Sequence, residues 1–207
     1  MSTPAQYANA YVAILLAAGR GSRFDAAEGK LLQPFGEQGE MIAVVAARTL
    51  AAWLPVVAVV AAEGSLARSL RELGCEVIFA DPLQTREMSA TLRQGVAHAG
   101  AARGWVVALA DMPLVQPSTI AAICAALQAG ANIAVPVSKS RRGHPVGFSM
   151  RHRDTLLALR GDQGARSILA SNVVTEVPVD DPGIFADIDT PADLHALSRF
   201  RSGQGLP

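Results

Sequence analysis

Two cysteines, no surplus of either charge and no long uncharged apolar run set the first limits on this 207-residue sequence. Cys75 and Cys124 form no C-x-x-C pair, so neither a disulfide framework nor a zinc knuckle is indicated. In apolar surroundings both read as small buried hydrophobes. Lys and Arg together number 18, as do Asp and Glu. That balance excludes a broad nucleic-acid footprint, which needs clustered positive charge, but leaves room for a small phosphate site. No stretch approaches the ~18–20 uncharged residues of a membrane helix. The opening MSTPAQYANA lacks the basic start and apolar core of a signal peptide, so a cytoplasmic protein is expected. Two common glycine-rich fingerprints are also missing. There is no G-x-x-x-x-G-K-[ST], and G-x-G-x-x-G fails because Phe24 stands in the third glycine's place. The 4 histidines show no H-E-x-x-H spacing, and His98, His152 and His195 read as surface residues.

What is present is apolar and periodic. Half of the residues are hydrophobic and 17% are charged, as in a well-packed globular chain. Tyr11–Ala17 (YVAILLA) is a continuous apolar run, too short for a helix and followed at once by glycines. It reads as a strand buried on both faces, which is the mark of a parallel sheet covered by helices. Residues 55–62 (PVVAVVAA), 75–80 (CEVIFA) and 105–110 (WVVALA) repeat that character. Helical periodicity fills 41–53, 65–73, 88–99 and 117–129. The alternation predicts an α/β fold with a doubly wound sheet. Later come strand-like 132–137 and 144–150 around the basic turn SKSRRG, a helix near 154–159 and strand-like 173–179. A last helix starts after Thr190-Pro191. The organisation expected is a flexible N-terminus (1–10), one domain over 11–198 and a flexible C-terminus (199–207).

Chemistry gathers at strand ends. The first strand runs into LLAAGRGSRFDAAEGKLL, where Gly19 and Gly21 allow a phosphate to approach the backbone and Arg23 and Lys30 can neutralise it. The same residues also suit a tight turn with two solvated cations. Asp111 follows WVVALA, where ligands of open α/β sheets bind, and its carboxylate suits Mg²⁺ or the cap of the next turn. In FADIDTPADL, Asp187 and Asp189 alternate, so an extended stretch turns both to one side, and either completes a metal site with Asp111. The favourable charge at a helix N-terminus accounts for Asp189 as well. RRGHPVGF suits an anionic acceptor or a solvated basic hairpin.

Taken in order, LAAGRGSRF, Lys30-Leu31-Leu32, REMSATLRQG, ADMPL, GHPVGF, GDQGAR and DIDTPADL resemble the MobA-like nucleotidyltransferases, most closely the molybdenum cofactor cytidylyltransferase branch. The resemblance spans roughly residues 11–195. It implies a single Rossmann-like, three-layer domain with a mainly parallel sheet, similar to the nucleotide-diphospho-sugar transferases. It also implies transfer of CMP from CTP, with Mg²⁺, to the terminal phosphate of a pterin (molybdopterin), releasing pyrophosphate. By motif position, Leu16, Ala17, Ala18, Gly19, Gly21 and Arg23 would form the nucleotide loop. Lys30 would contact phosphates, Ser89 would lie near base or ribose, and Asp111 would bind the metal with Asp189 and its neighbour Asp187. Arg23, Lys30 and Asp111 would be the catalytic set, while His144 and Asp162 would help receive the acceptor. Asp25 and Glu87 stand where the family commonly has glycine. Leu-Ala-Ala-Gly favours CTP, and the Ala18 methyl would restrict approach to the base. GTP-dependent guanylyl transfer, another small phosphorylated acceptor, or a non-catalytic nucleotide-binding module that delivers cofactor are the alternatives. A molybdoenzyme or its maturation chaperone would be the protein partner.

Overall fold

Residues 4–19, 24, 29–82, 87–161 and 165–198 are described in the computed structural model. A 3₁₀ turn (Pro4–Tyr7) precedes β1 (Tyr11–Ala17), and a second (Lys30–Leu32) precedes the short pair β2 (Pro34–Phe35) and β3 (Glu40–Met41). Then follow α1 (Ile42–Ala51), β4 (Val56–Val60), α2 (Ser65–Glu72), β5 (Glu76–Phe79), α3 (Met88–His98), β6 (Gly104–Leu109) and α4 (Pro117–Gln128). The second half holds β7 (Ile133–Ser138), β8 (Arg141–Arg142), β9 (Val146–Ser149), α5 (Arg153–Leu157), α6 (Arg166–Ser171), β10 (Thr175–Pro178) and α7 (Pro191–Ser198).

Among the described residues, eight strands make one sheet in the order β10-β7-β9-β6-β1-β4-β5, with β8 paired to β7. β1 is central and parallel to both neighbours, Ile14 lying opposite Val57 on one side and Val107 on the other. β9 is antiparallel to β6 and β7, and β10 returns parallel to β7. Apart from β8 and β9, the strands of the sheet therefore share one direction, and their carboxyl ends line one edge.

Period-two alternation explains the three layers. Ala13, Leu15, Ala58, Val60, Val106 and Ala108 turn to one face, where they pack with α1, α2 and α4. Val12, Ile14, Val57, Val59, Trp105 and Val107 turn to the other, against α3, α5 and α6. Runs such as YVAILLA carry no polar alternation because both faces are covered. At Gly95 a Cβ would lie 2.4 Å from Ile14 Cγ2, so α3 rests on the sheet at a distance only glycine permits. A third cluster of Phe24, Phe35, Ile42, Val45 and Ile188 joins α1 to the segments beside the carboxyl edge. Phe24 thus serves the core where a dinucleotide loop would have a glycine.

Within the stretch expected as a flexible N-terminus, Tyr7 is buried and its hydroxyl donates to Glu76 Oε2. Gln6 Nε2 donates to the same oxygen at 2.9 Å, and His98 Nε2 lies 2.7 Å from Glu76 Oε1. Burial first, and then Glu76, push the Tyr7 phenol well above its ordinary value. His152 differs from its expected surface position. It is buried, with its ring edge-on to Phe148, because the 3₁₀ turn after β9 folds it back under the sheet. α7 begins with Thr190 and Asp193 in a reciprocal cap: Thr190 N donates to Asp193 Oδ2 (2.7 Å) and Asp193 N to Thr190 Oγ1 (3.2 Å). Among the described residues, no helix is long and apolar enough to cross a membrane.

Candidate active site

The carboxyl edge brings together residues that are far apart in sequence. After β1, Ala18 is buried, and a Cβ on Gly19 would meet no atom of the described residues within 4 Å. Packing does not demand a glycine there, and the open space belongs to a cleft. Gly29, at φ 79°, turns the chain in the left-handed region that glycine favours and starts the Lys30–Leu32 turn. Leu31 anchors that turn in the core, so Lys30 is held low at the edge, 9% exposed.

Lys30 Nζ donates to Asp111 Oδ2 at 2.7 Å and to Asp189 Oδ1 at 2.9 Å. Burial is the largest influence on this ammonium and works to lower its pKa, but the charges and hydrogen bonds of Asp111 and Asp189 together carry it above the ordinary value. Among the described residues, two carboxylates meet one ammonium here. Asp111 Oδ1 is buried and has no hydrogen-bond partner among the described residues. A hard oxygen left unmatched at the edge of a cleft is where a cation or an incoming donor gains most. The donor set therefore fits a divalent ion that takes one or two carboxylates and completes its shell with water and phosphate oxygens. Among the described residues, no three His, Cys, Asp or Glu side chains gather into a metal-binding group.

The two aspartates meet because three loops are stitched together. Ile188 N donates to Asp111 O at 2.9 Å, and the buried Ile188 side chain fixes its neighbours Asp187 and Asp189 on the opposite side of the chain. His144 N donates to Ile184 O at 3.0 Å. Asp181, 1% exposed, takes Thr119 Oγ1 at 2.6 Å, Gln116 N at 2.8 Å and Gly183 N at 2.9 Å. At Gly183 a Cβ would fall 2.1 Å from Leu114 O, and at Gly143 2.5 Å from Ile184 O. Both glycines are therefore close-approach positions that the loops need in order to interlock.

Of the other expected residues, Asp187 is exposed and lines a cleft of about 550 Å³ with Lys139, Arg141 and Phe185, the Arg141 guanidinium stacking 4.5 Å from the Phe185 ring centre. His144 stands within electrostatic reach of both Asp111 and Asp187. Burial holds its imidazole below the ordinary value, opposed by Asp111, reinforced by Arg166 and opposed again by Asp187. Its Nδ1 is buried without a partner among the described residues. Ser89 is fully buried, its hydroxyl 3.5 Å from Glu87 Oε2, which also accepts Gly161 N at 3.2 Å. Ala18 lies in the core cluster beneath α3, so its methyl does not face the cleft as the sequence suggested. Leu16, Ala17, Gly19 and Lys30 fall at or beside the end of β1. Ala17, Gly19 and Lys30 line a second cleft of about 280 Å³, closed on its far side by the loop from Val60 to Leu66. Gly21, Arg23 and Asp162 lie outside the described residues. Sequence reasoning missed Asp181 altogether and did not foresee that Lys30 would pair with both aspartates. The D-P-G sequence at Asp181 signals a turn but not the burial of its carboxylate, which Thr119 of α4 decides.

An α/β/α domain with a cleft, a lysine and paired aspartates at the carboxyl edge defines the nucleotidyltransferase class, and the comparisons agree. The MobA-like NTP transferase domain model matches residues 13–177. The chain belongs to that family. Among solved structures, Rv0371c from Mycobacterium tuberculosis is similar at 26% identity and TM-score 0.76, over 92% of this chain and 99% of that one. The same protein complexed with manganese aligns at 25% identity and TM-score 0.74, over 93% and 100%. A nucleotidyl transferase from Methanothermobacter shares the fold at 23% identity and TM-score 0.73, over 94% and 98%. No curated protein matches the sequence at a significant level.

Proposed function

We propose that this chain transfers CMP from CTP to the terminal phosphate of molybdopterin, releasing pyrophosphate. The observation that carries the transfer reading is the Lys30–Asp111–Asp189 cluster, with its unmatched Asp111 oxygen, beside a cleft that opens at Gly19. Asp111 and Asp189 are the residues that would hold Mg²⁺. The manganese complex of the Mycobacterium tuberculosis relative supports a divalent ion in a fold of this kind. That ion supplies positive charge to the phosphates as negative charge shifts toward the leaving group.

The chain's own residues supply alignment. An acceptor phosphate is already anionic, so no strong general base is required, and placement with charge stabilisation does most of the work. The cleft at the end of β1 receives the triphosphate, with backbone N–H groups, Arg23 and Lys30 offering donors to the pyrophosphate that leaves. His144, neutral above its lowered pKa, offers a hydrogen bond to the acceptor beside Asp111. Asp162 is the second residue assigned to the acceptor.

The choice of CTP rests on the Leu16–Ala17–Ala18–Gly19 motif, and the choice of pterin on GHPVGF with GDQGAR. The test is to incubate purified protein with Mg²⁺, molybdopterin and either CTP or GTP and to measure pyrophosphate. Faster release with CTP is expected. Faster release with GTP would reassign the base, and release only with a different phosphorylated acceptor would reassign the pterin. Nucleotide binding without release for any acceptor would make the chain a delivery module.

A further inference from the structure

We infer that the groove beside Asp187 receives the acceptor's ring, with Asp187 meeting a planar guanidine-like edge and the Arg141 guanidinium, backed by Phe185, supporting the ring face. The inference rests on the reading of the acceptor as a pterin phosphate, and it assigns Asp187 to that acceptor instead of the metal. The groove holds about 550 Å³, within the range of small-molecule sites. Asp187 is exposed in its wall, and only Ile188 separates it from Asp189, so their Cα atoms are at most ~7 Å apart. His144 stands within electrostatic reach of both Asp187 and Asp111. A molecule whose phosphate lies beside Asp111 can therefore extend its other end into the groove. Of the other acids there, Asp193 is already committed to the Thr190 cap.

Another part of the groove comes from the β7–β8 hairpin. Ser138 pairs with Arg141, and the two residues between them, Lys139 and Ser140, have φ of 49° and 61°. A two-residue turn of this kind fixes where Arg141 leaves the hairpin. Arg142 pairs with Glu176 at 2.9 Å, whereas the Arg141 guanidinium lies 4.5 Å from the centre of the Phe185 ring. That stack orients the guanidinium, and because Arg141 is exposed and lines the groove, its second face is open to a ligand. A pterin matches both features. Its 2-amino and N3–H groups form a flat edge that one carboxylate meets with two parallel hydrogen bonds, as it meets arginine. Its aromatic face suits a guanidinium plane.

The experiment has two readouts on the full chain. The first is a fluorescence titration with free pterin and with lumazine, which carries a carbonyl in place of the 2-amino group. Wild type is expected to bind pterin at least about tenfold more tightly than lumazine, and Asp187→Asn should abolish that preference, as loss of a charged hydrogen bond does. The second is steady-state transfer to molybdopterin with Mg²⁺ and CTP or GTP. Asp187→Asn should raise KM for molybdopterin by about tenfold and Arg141→Ala by about threefold, with kcat and the Mg²⁺ dependence unchanged. Unchanged pterin affinity and unchanged KM in Asp187→Asn would overturn the groove and leave the transfer reading standing. Equal affinity of wild type for pterin and lumazine would overturn the edge contact. A shifted Mg²⁺ dependence with an unchanged KM would overturn the assignment and return Asp187 to the metal. Pterin binding that depends on Asp187, with no pyrophosphate release in the presence of molybdopterin, would support the groove and overturn the transfer.

Discussion

Asp111 and Asp181 occupy neighbouring loops and are tied into the same stitched region, yet their carboxylates are treated in opposite ways. Asp181 is buried and fully engaged, with a hydroxyl and two backbone amides donating to its oxygens. Asp111 is only partly buried. One of its oxygens accepts from Lys30, and the other is buried with no partner among the described residues. A carboxylate saturated by backbone and hydroxyl donors can do nothing but hold loops together. A carboxylate left short of partners keeps capacity for a ligand, at a cost to the resting protein. The difference separates an acid that holds loops together from one that keeps room for a ligand.

The largest expected effect comes from the chemical side. Asp111→Asn should lower the rate of pyrophosphate release by about 10³-fold or more, by analogy with removal of a key stabilising group, while stability changes by less than about 1 kcal/mol. Steady-state kinetics together with denaturant unfolding check both halves, and near-normal turnover would remove Asp111 from the chemistry. Asp181→Ala should show the reverse. Loss of one partner strands three donors in the interior and should cost about 3 kcal/mol, a fall of roughly 6–12 °C in Tm for a chain of this size, with turnover per folded molecule within a few-fold of wild type. Gly183→Ala blurs the contrast, because the new Cβ would lie 2.1 Å from Leu114 O and must push apart the loops that carry both aspartates. A loss of about 2 kcal/mol with a parallel drop in rate is expected, and an unchanged rate would mean that the loops move independently.

The smallest effect is a pH dependence. His144 and His152 are both held below the ordinary 6.5 by burial, so the unfolded chain takes up protons first on acidification. Their contribution to stability is therefore full above about pH 6.5 and declines as pH falls below it toward the lower folded-state values. His144→Gln should flatten Tm against pH between 5.5 and 7.5, leaving the share due to His152. A slope identical to that of wild type would show that His144 titrates alike in both states.

Much of the fold was legible in the sequence. β1 and its parallel neighbours announce themselves because strands covered on both faces lose polar alternation, and α4 because Pro117 opens a long apolar helix. The reversal at β9 was not legible, since a four-residue strand carries no sign of its direction and takes it from the two long strands it joins. For the site, Asp111 was readable from its place after an apolar strand. The Lys30 bridge was not, because its partners lie 81 and 159 positions away and only the shared strand direction brings them to one edge. Nor does local pattern tell Asp181 from Asp187 or Asp189. All three sit in one acidic, turn-rich stretch, and only Thr119 and Gln116, supplied by α4 and the residue before it, decide which one is buried.

The mooring of Tyr7 and His98 on Glu76 sits at the start of β5 and the end of α3, on the edge away from the cleft at the end of β1. Tyr7 is thus held at the amino end of the sheet, opposite the carboxyl edge. A fluorescent label on a cysteine placed at Gln6 would therefore leave the mouth of the cleft clear, whereas one at Leu197, which lines the groove with Asp187 and Asp193, would stand in it.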